Sequence, residues 1–231
     1  MSRSKHPKGG VILAGGGSSR FNGHDKSLLD LGNGRTLVQE VARRLQFLDE
    51  MVVSTSSEER AHRYHELTGL KAVVDEYPGI PGGILSGCRA LNAPEVLVVG
   101  VDMPLLKKEV IECQFSAMQG YQAVVPRHPN GFIEPLHSTM DRVSVLGPLK
   151  TICEAGVLRV SRLFELVSTY YMPVEAIKSL DPDLDCFANV NDERTLRSIL
   201  LKLEHSPPQA RNSRSSSSRS ARALTSSLER D

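Results

Sequence analysis

Four short apolar runs, GVILA (10–14), MVVS (51–54), KAVV (71–74) and VLVVGV (96–101), recur along the chain with segments of helical period between them. A run that is apolar or β-branched throughout reads as a strand covered on both faces, and such strands spaced by helices read as a parallel sheet wrapped in helices. Residues 122–126 add a fifth strand, and 133–139 and 169–174 add two more after the turn signal Asn130-Gly131. Leu37, Val41, Leu45 and Leu48 fall at helical spacing within 36–49, and 58–67 and 107–118 read as weaker helices. Two short helices are expected between Arg142 and Leu166, and a last one over 192–204, capped by Asn191 or Asp192. The expected fold is α/β, a single domain with a mostly parallel central sheet and helices on both faces.

Composition narrows the function classes. With 28 basic against 27 acidic residues, the formal charge of +1 supplies no field that would mark a nucleic-acid or membrane binder, so any phosphate chemistry must be local. Cys88, Cys113, Cys153 and Cys186 stand far apart with no CxxC pair, which indicates neither a zinc site nor a disulfide framework. No apolar run approaches the roughly 20 residues that span a bilayer. A cytoplasmic protein is expected.

Residues 1–9 read as a flexible N-terminus, 10–204 as the folded domain and 205–231 as a disordered tail. That tail holds nine serines and five arginines with almost no periodic apolar content, so it cannot bury a core. Its net positive charge suits either an acidic partner or simple solvation. Deleting residues 206–231 is therefore expected to leave folding and activity nearly unchanged, and a large fall in melting temperature on deletion would contradict this.

The first strand runs into Leu13-Ala14-Gly15-Gly16-Gly17-Ser18-Ser19-Arg20, with Lys26 six residues further on. Consecutive glycines let the backbone approach a ligand and turn successive N–H groups toward an anion, and Arg20 and Lys26 add charge for phosphate oxygens. Neither GxxxxGK[ST] nor a full GxGxxG fingerprint is present, so the loop by itself reads equally as a phosphate cradle or a structural turn. Asp102 follows VLVVGV directly and should emerge at the carboxyl end of a central strand, where open α/β sheets bind ligands. Its carboxylate suits Mg²⁺ completed by phosphate oxygens and water, or else caps the following turn. Asp75 ends a short strand and reads as a solvated turn acid beside Glu76, while Asn189 and Asn191 flank Val190 as turn and helix-capping residues. The seven histidines form no HxH or HExxH group, and no credible covalent nucleophile stands out.

The segment LAGGGSSRFNGHDK resembles the LAGGxSxRMGxDK signature of the molybdenum cofactor guanylyltransferases, within the Rossmann-like nucleotidyltransferases of nucleotide-diphospho-sugar transferase fold. Four more blocks follow in the family's order: VDEYPGIPGG (74–83), similar to its D…GPLAG loop; GVDMP (100–104), similar to GDMP; EPLH (134–137), similar to QPL; and FANVN (187–191), similar to FxNVN. Together they cover nearly all of residues 10–204. Two departures stand out: Asn22 where a glycine is common, and PGIPGG in place of GPLAG.

The resemblance implies an enzyme that transfers GMP from GTP to molybdopterin with release of pyrophosphate. It places Leu13, Ala14, Gly15, Gly16, Gly17, Ser18, Lys26, Asp75, Gly82 and Asp102 at the nucleotide, and Asn189 and Asn191 on the acceptor side. It gives Mg²⁺ to Asp102 and charge neutralisation to Lys26 and Arg20. Asp75 would accept from the guanine edge or hold the ribose. GTP and molybdopterin are the implied small-molecule partners, with transient contacts to other cofactor-biosynthesis proteins or apo-molybdoenzymes. Three other readings compete: a CTP-dependent cytidylyltransferase on molybdopterin or on a sugar or polyol phosphate, a non-catalytic nucleotide binder, and an NAD-dependent dehydrogenase, which lacks its ribose-binding acid.

Overall fold

The computed structural model describes residues 6–15 and 25–204. Seven strands form one sheet in the order β3-β2-β1-β4-β6-β5-β7. In chain order these are β1 (Lys8–Leu13), β2 (Glu50–Thr55), β3 (Lys71–Val74), β4 (Glu95–Gly100), β5 (Ala123–Arg127), β6 (His137–Asp141) and β7 (Thr169–Pro173). The α-helices are α1 (Leu37–Arg44), α2 (Glu58–Thr68), α3 (Gly79–Ala90), α4 (Lys108–Ala117), α5 (Arg142–Glu154), α6 (Ser161–Leu166), α7 (Val174–Ile177) and α8 (Glu193–Glu204), with a 3-10 turn at Lys26–Leu28. β1, β2, β3 and β4 run parallel, and β6 pairs antiparallel with both β4 and β5. The expected mostly parallel α/β sheet is what the chain forms.

Successive residues of each parallel strand point to opposite faces, which divides the apolar runs between two cores. Ile12, Val53, Leu97 and Val99 meet Val38 and Val41 of α1, Tyr64 of α2 and Val110 and Ile111 of α4. Val11, Val52, Val96 and Val98 meet Ile84 and Leu85 of α3 and Val145 and Leu149 of α5. Each such side chain, fully buried, contributes roughly 1.5–3 kcal/mol relative to exposure. A third cluster, Leu31, Leu37, Leu105, Val190 and Ile199, seats α8 on the domain.

Helix α3 was not expected, because GIPGG reads as a loop. Pro81 is its third residue, where the missing N–H has no acceptor in any helix. A Cβ at Gly82 would overlap the carbonyl of Tyr77, so the helix start needs that glycine for close packing. β6 also starts later than 133–139 suggested: Ile133 makes only an isolated bridge to Arg127, and the strand begins at His137. β1 begins at Lys8, inside the stretch read as a flexible N-terminus, and β7 stops at Pro173, where α7 takes over. No described helix is long and apolar enough to cross a membrane.

His137 lies fully buried against the Phe187 ring, 5.0 Å between centroids, and neither ring nitrogen has a hydrogen-bond partner among the described residues. Burial pushes its pKa down from 6.5 to about 4. The unfolded chain thus takes up a proton below about pH 6.5 while the folded chain resists until about pH 4, so stability present above pH 6.5 is lost as pH falls through that window. Comparing urea midpoints of parent and His137→Leu, the parent is expected to lose about 3 kcal/mol more on going from pH 7 to pH 4. Parallel pH dependence in the two proteins would show that His137 does not carry this linkage.

Candidate functional site

The strand order places β1 between β2 and β4, so the chain leaves β1 in one direction and returns on its other side. Open α/β sheets form their ligand crevice at that reversal, outside the carboxyl ends of the strands. Backbone bonds hold these ends together: Ala14 N–H donates to Ser54 O at 2.8 Å, Val101 N–H to Leu13 O at 3.0 Å and Asp75 N–H to Thr55 O at 2.8 Å. Above them lies a cleft of about 670 Å³, within the size range of small-molecule sites.

Leu13, Ala14 and Gly15 form its floor, and Lys26, Asp75 and Asp102 line its walls. At Gly15 a Cβ would stand 2.9 Å from Asp75 Oδ2, so a larger residue there would push the carboxylate aside. Lys26 Nζ donates to Asp102 Oδ2 at 2.9 Å and to Asn191 Oδ1 at 3.4 Å. Asn191 reaches the lysine because Val190 N–H donates to the Asp102 carbonyl at 2.9 Å, which pins the FANVN segment against the end of β4. Residues from three separate blocks of sequence thus meet at one point.

Asp75 accepts a hydrogen bond from Ser54 Oγ. Burial lifts its carboxyl above the usual range, opposed by that hydrogen bond and by the nearby Arg60 charge. Three residues from the sequence do not line the cleft: Gly82, Asn189, and Asn191, which meets it only through Lys26. Gly82 packs under Tyr77, and the neighbouring Gly83 lines the cavity instead. Asn189 turns its amide onto its own segment, donating to Phe187 O at 3.2 Å, because Val190 must point into the core for α8 to dock. Gly16, Gly17, Ser18 and Arg20 lie outside the described residues.

The EPLH block divides in three. Leu136 lines the cleft, His137 is core, and Glu134 Oε1 pairs with His128 Nε2 at 2.8 Å. The Glu134 carboxyl is raised by burial against the pull of His128.

The sequence reading assigned nothing to Asp25, Ser27, Arg60 or Tyr64, yet the first three line the cleft and all four interlock. Asp25 Oδ1 accepts from Arg60 Nη2 at 2.9 Å, and Oδ2 accepts from Arg60 Nε at 3.0 Å and Tyr64 Oη at 2.7 Å. Burial pushes the Asp25 carboxyl up, but hydrogen bonds from Ser27, Tyr64 and Arg60 outweigh it and hold it below its ordinary range. The one signal in the sequence was the aspartate directly before Lys26. Two of its partners, Arg60 and Tyr64, are 35 and 39 residues away, beyond any local pattern.

This arrangement, a glycine floor, two carboxylates and a cationic side chain at the reversal of a parallel sheet, suits a phosphorylated ligand. Residues 10–166 match the MobA-like NTP transferase domain family. A protein of Pyrococcus furiosus named "probable molybdenum cofactor guanylyltransferase" is 34% identical over 195 residues, covering 82% of this chain and 95% of that protein. One of the same name from Natronomonas pharaonis is 38% identical over 134 residues, which is 56% of this chain and 65% of that protein. The crystal structure of molybdopterin-guanine dinucleotide biosynthesis protein A from Archaeoglobus fulgidus shares the fold, with a TM-score of 0.75 at 24% identity over 85% of this chain and 98% of that one. The chain belongs to the MobA-like NTP transferase family.

Proposed function

We propose that the protein transfers GMP from GTP to molybdopterin, releasing pyrophosphate, and that it works in the cytoplasm where GTP is supplied. The observation that carries this reading is the pairing of Lys26 with Asp102 in the cleft lining beside Gly15, with Asn191 accepting from the same lysine. The names of the Pyrococcus and Natronomonas relatives support guanine and molybdopterin as its substrates.

In this reading the triphosphate lies over the cleft lining at Gly15, and Lys26 donates to its oxygens. A terminal phosphate oxygen of the acceptor attacks the α-phosphorus in line, and pyrophosphate leaves. The attacking phosphate is already anionic near neutral pH, so the protein's contribution is positioning and charge neutralisation rather than proton abstraction. Asp75 accepts hydrogen bonds from the nucleoside, and Asn191 presents its amide to the acceptor.

The donor set at Asp102 fits Mg²⁺. It is a single hard carboxylate already holding a cationic group at 2.9 Å, and no three His, Cys, Asp or Glu side chains among the described residues are grouped to hold a metal alone. Magnesium keeps several waters and shares phosphate oxygens, which matches one protein ligand. When bound, it supplies charge stabilisation to the phosphates.

Thermal unfolding with GTP, CTP, UTP and ATP, each with Mg²⁺, tests base choice. A ligand at 100 times its Kd adds about 2.7 kcal/mol of stability. GTP is expected to protect most, and stronger protection by CTP would replace the guanylyl reading with the cytidylyl one.

A further inference from the structure

The cleft wall carries a charged cluster for which the reaction has no direct use. The Asp25 carboxylate accepts from Ser27 N–H at 3.1 Å, from Ser27 Oγ, twice from the Arg60 guanidinium and from Tyr64 Oη. Ser27 and Tyr64 are essentially inaccessible to solvent, and Arg60 is further fixed by Ser56 Oγ at 3.3 Å. One carboxylate therefore joins the start of the 3-10 turn to the first turn of α2, on the crossover between β2 and β3. The very next residue, Lys26, reaches the other wall of the cleft, where Asp102 follows β4 and Asn191 precedes α8. Consecutive side chains thus grip opposite walls.

A lysine has a flexible four-carbon stem, so a fixed Cα narrows the space its ammonium can reach and adds to the hold of Asp102 and Asn191. A side chain at a reacting centre works when its own support is locked by neighbouring packing and hydrogen bonds. Resting on the reading of Lys26 as a triphosphate ligand, we propose that Asp25, held by Arg60, Tyr64 and Ser27, is a positioning residue that fixes Lys26 for the triphosphate. The cluster acts through the lysine and not by touching the substrate.

A purely structural staple would change stability alone, and a substrate contact would act independently of Lys26. A double-mutant cycle separates these cases, because residues acting through one another are non-additive. The full chain is titrated calorimetrically with GTP and Mg²⁺, using Asp25→Asn and Arg60→Gln, each in the parent and in a Lys26→Ala background, with melting curves to confirm folding. Lys26→Ala is expected to weaken GTP by about tenfold or more. Asp25→Asn and Arg60→Gln should each weaken it about fivefold in the parent but less than about twofold once Lys26 is gone. If Asp25→Asn does not fold, Arg60→Gln carries the test by the same pattern. Losses of equal size in both backgrounds, or parental affinity for both folded variants, would overturn the positioning role while leaving Lys26 at the triphosphate. Parental affinity of Lys26→Ala would overturn the lysine's role and this inference together.

Discussion

Asp102→Asn is expected to lower turnover at least about a hundredfold, equivalent to roughly 2.7 kcal/mol in the barrier, while GTP affinity falls less. The substitution keeps the size and hydrogen-bonding shape of the side chain and removes the charge that draws a cation. That charge holds Lys26 Nζ at 2.9 Å. The tie from Val190 N–H runs to the Asp102 backbone carbonyl, so the docking of the last segment should survive the change. A metal that stabilises the transition state more than bound GTP makes the effect larger on turnover than on binding. Pyrophosphate release across a range of Mg²⁺ concentrations, with circular dichroism to confirm folding, provides the check. A folded variant with parental turnover and metal dependence would make Asp102 a turn residue.

Lys26→Ala is expected to weaken GTP binding by about tenfold or more and to leave the fold intact. The lysine side chain is about 20% exposed at the cleft mouth, and among the described residues it donates to Asp102, itself about 25% exposed, and to the exposed Asn191. An ion pair so placed contributes little to stability, since solvent screens it and ordering both side chains opposes it. The same ammonium facing a triphosphate makes charge-assisted hydrogen bonds, which are about twice as strong as neutral ones. Calorimetric titration of variant and parent decides, and equal affinities would remove Lys26 from the site.

The parallel half of the fold was legible because strands buried on both faces carry continuous apolar runs; β1 to β4 fall within two residues of the sequence reading. The antiparallel β6 was read too early, since Ile133 continues the apolar pattern while only a bridge to Arg127 joins it to the sheet. Helix α3 was hidden by its own packing needs. Glycine and proline are loop formers by propensity, and here Gly82 is needed for its contact with Tyr77 while Pro81 sits in the first turn, where its missing N–H costs no bond. At the site, topology put Asp102 at the carboxyl end of a central strand, while Asp75 read as a turn acid and only the family resemblance placed it at the nucleotide; both line the cleft. Asp25, Arg60 and Tyr64 were not, because a hydrogen-bonded cluster joined across tens of residues leaves no periodic trace in the chain.

The central claim is guanylyl transfer, and product analysis tests it most directly. The purified chain would be incubated with molybdopterin, Mg²⁺ and GTP labelled at either the α- or the γ-phosphate. The α-label is expected to appear in a molybdopterin-guanine dinucleotide, with the γ-label released as pyrophosphate in equal amount and neither product formed without acceptor. Release of orthophosphate in place of pyrophosphate, or no transfer of the α-label to molybdopterin by the folded protein, would contradict the account.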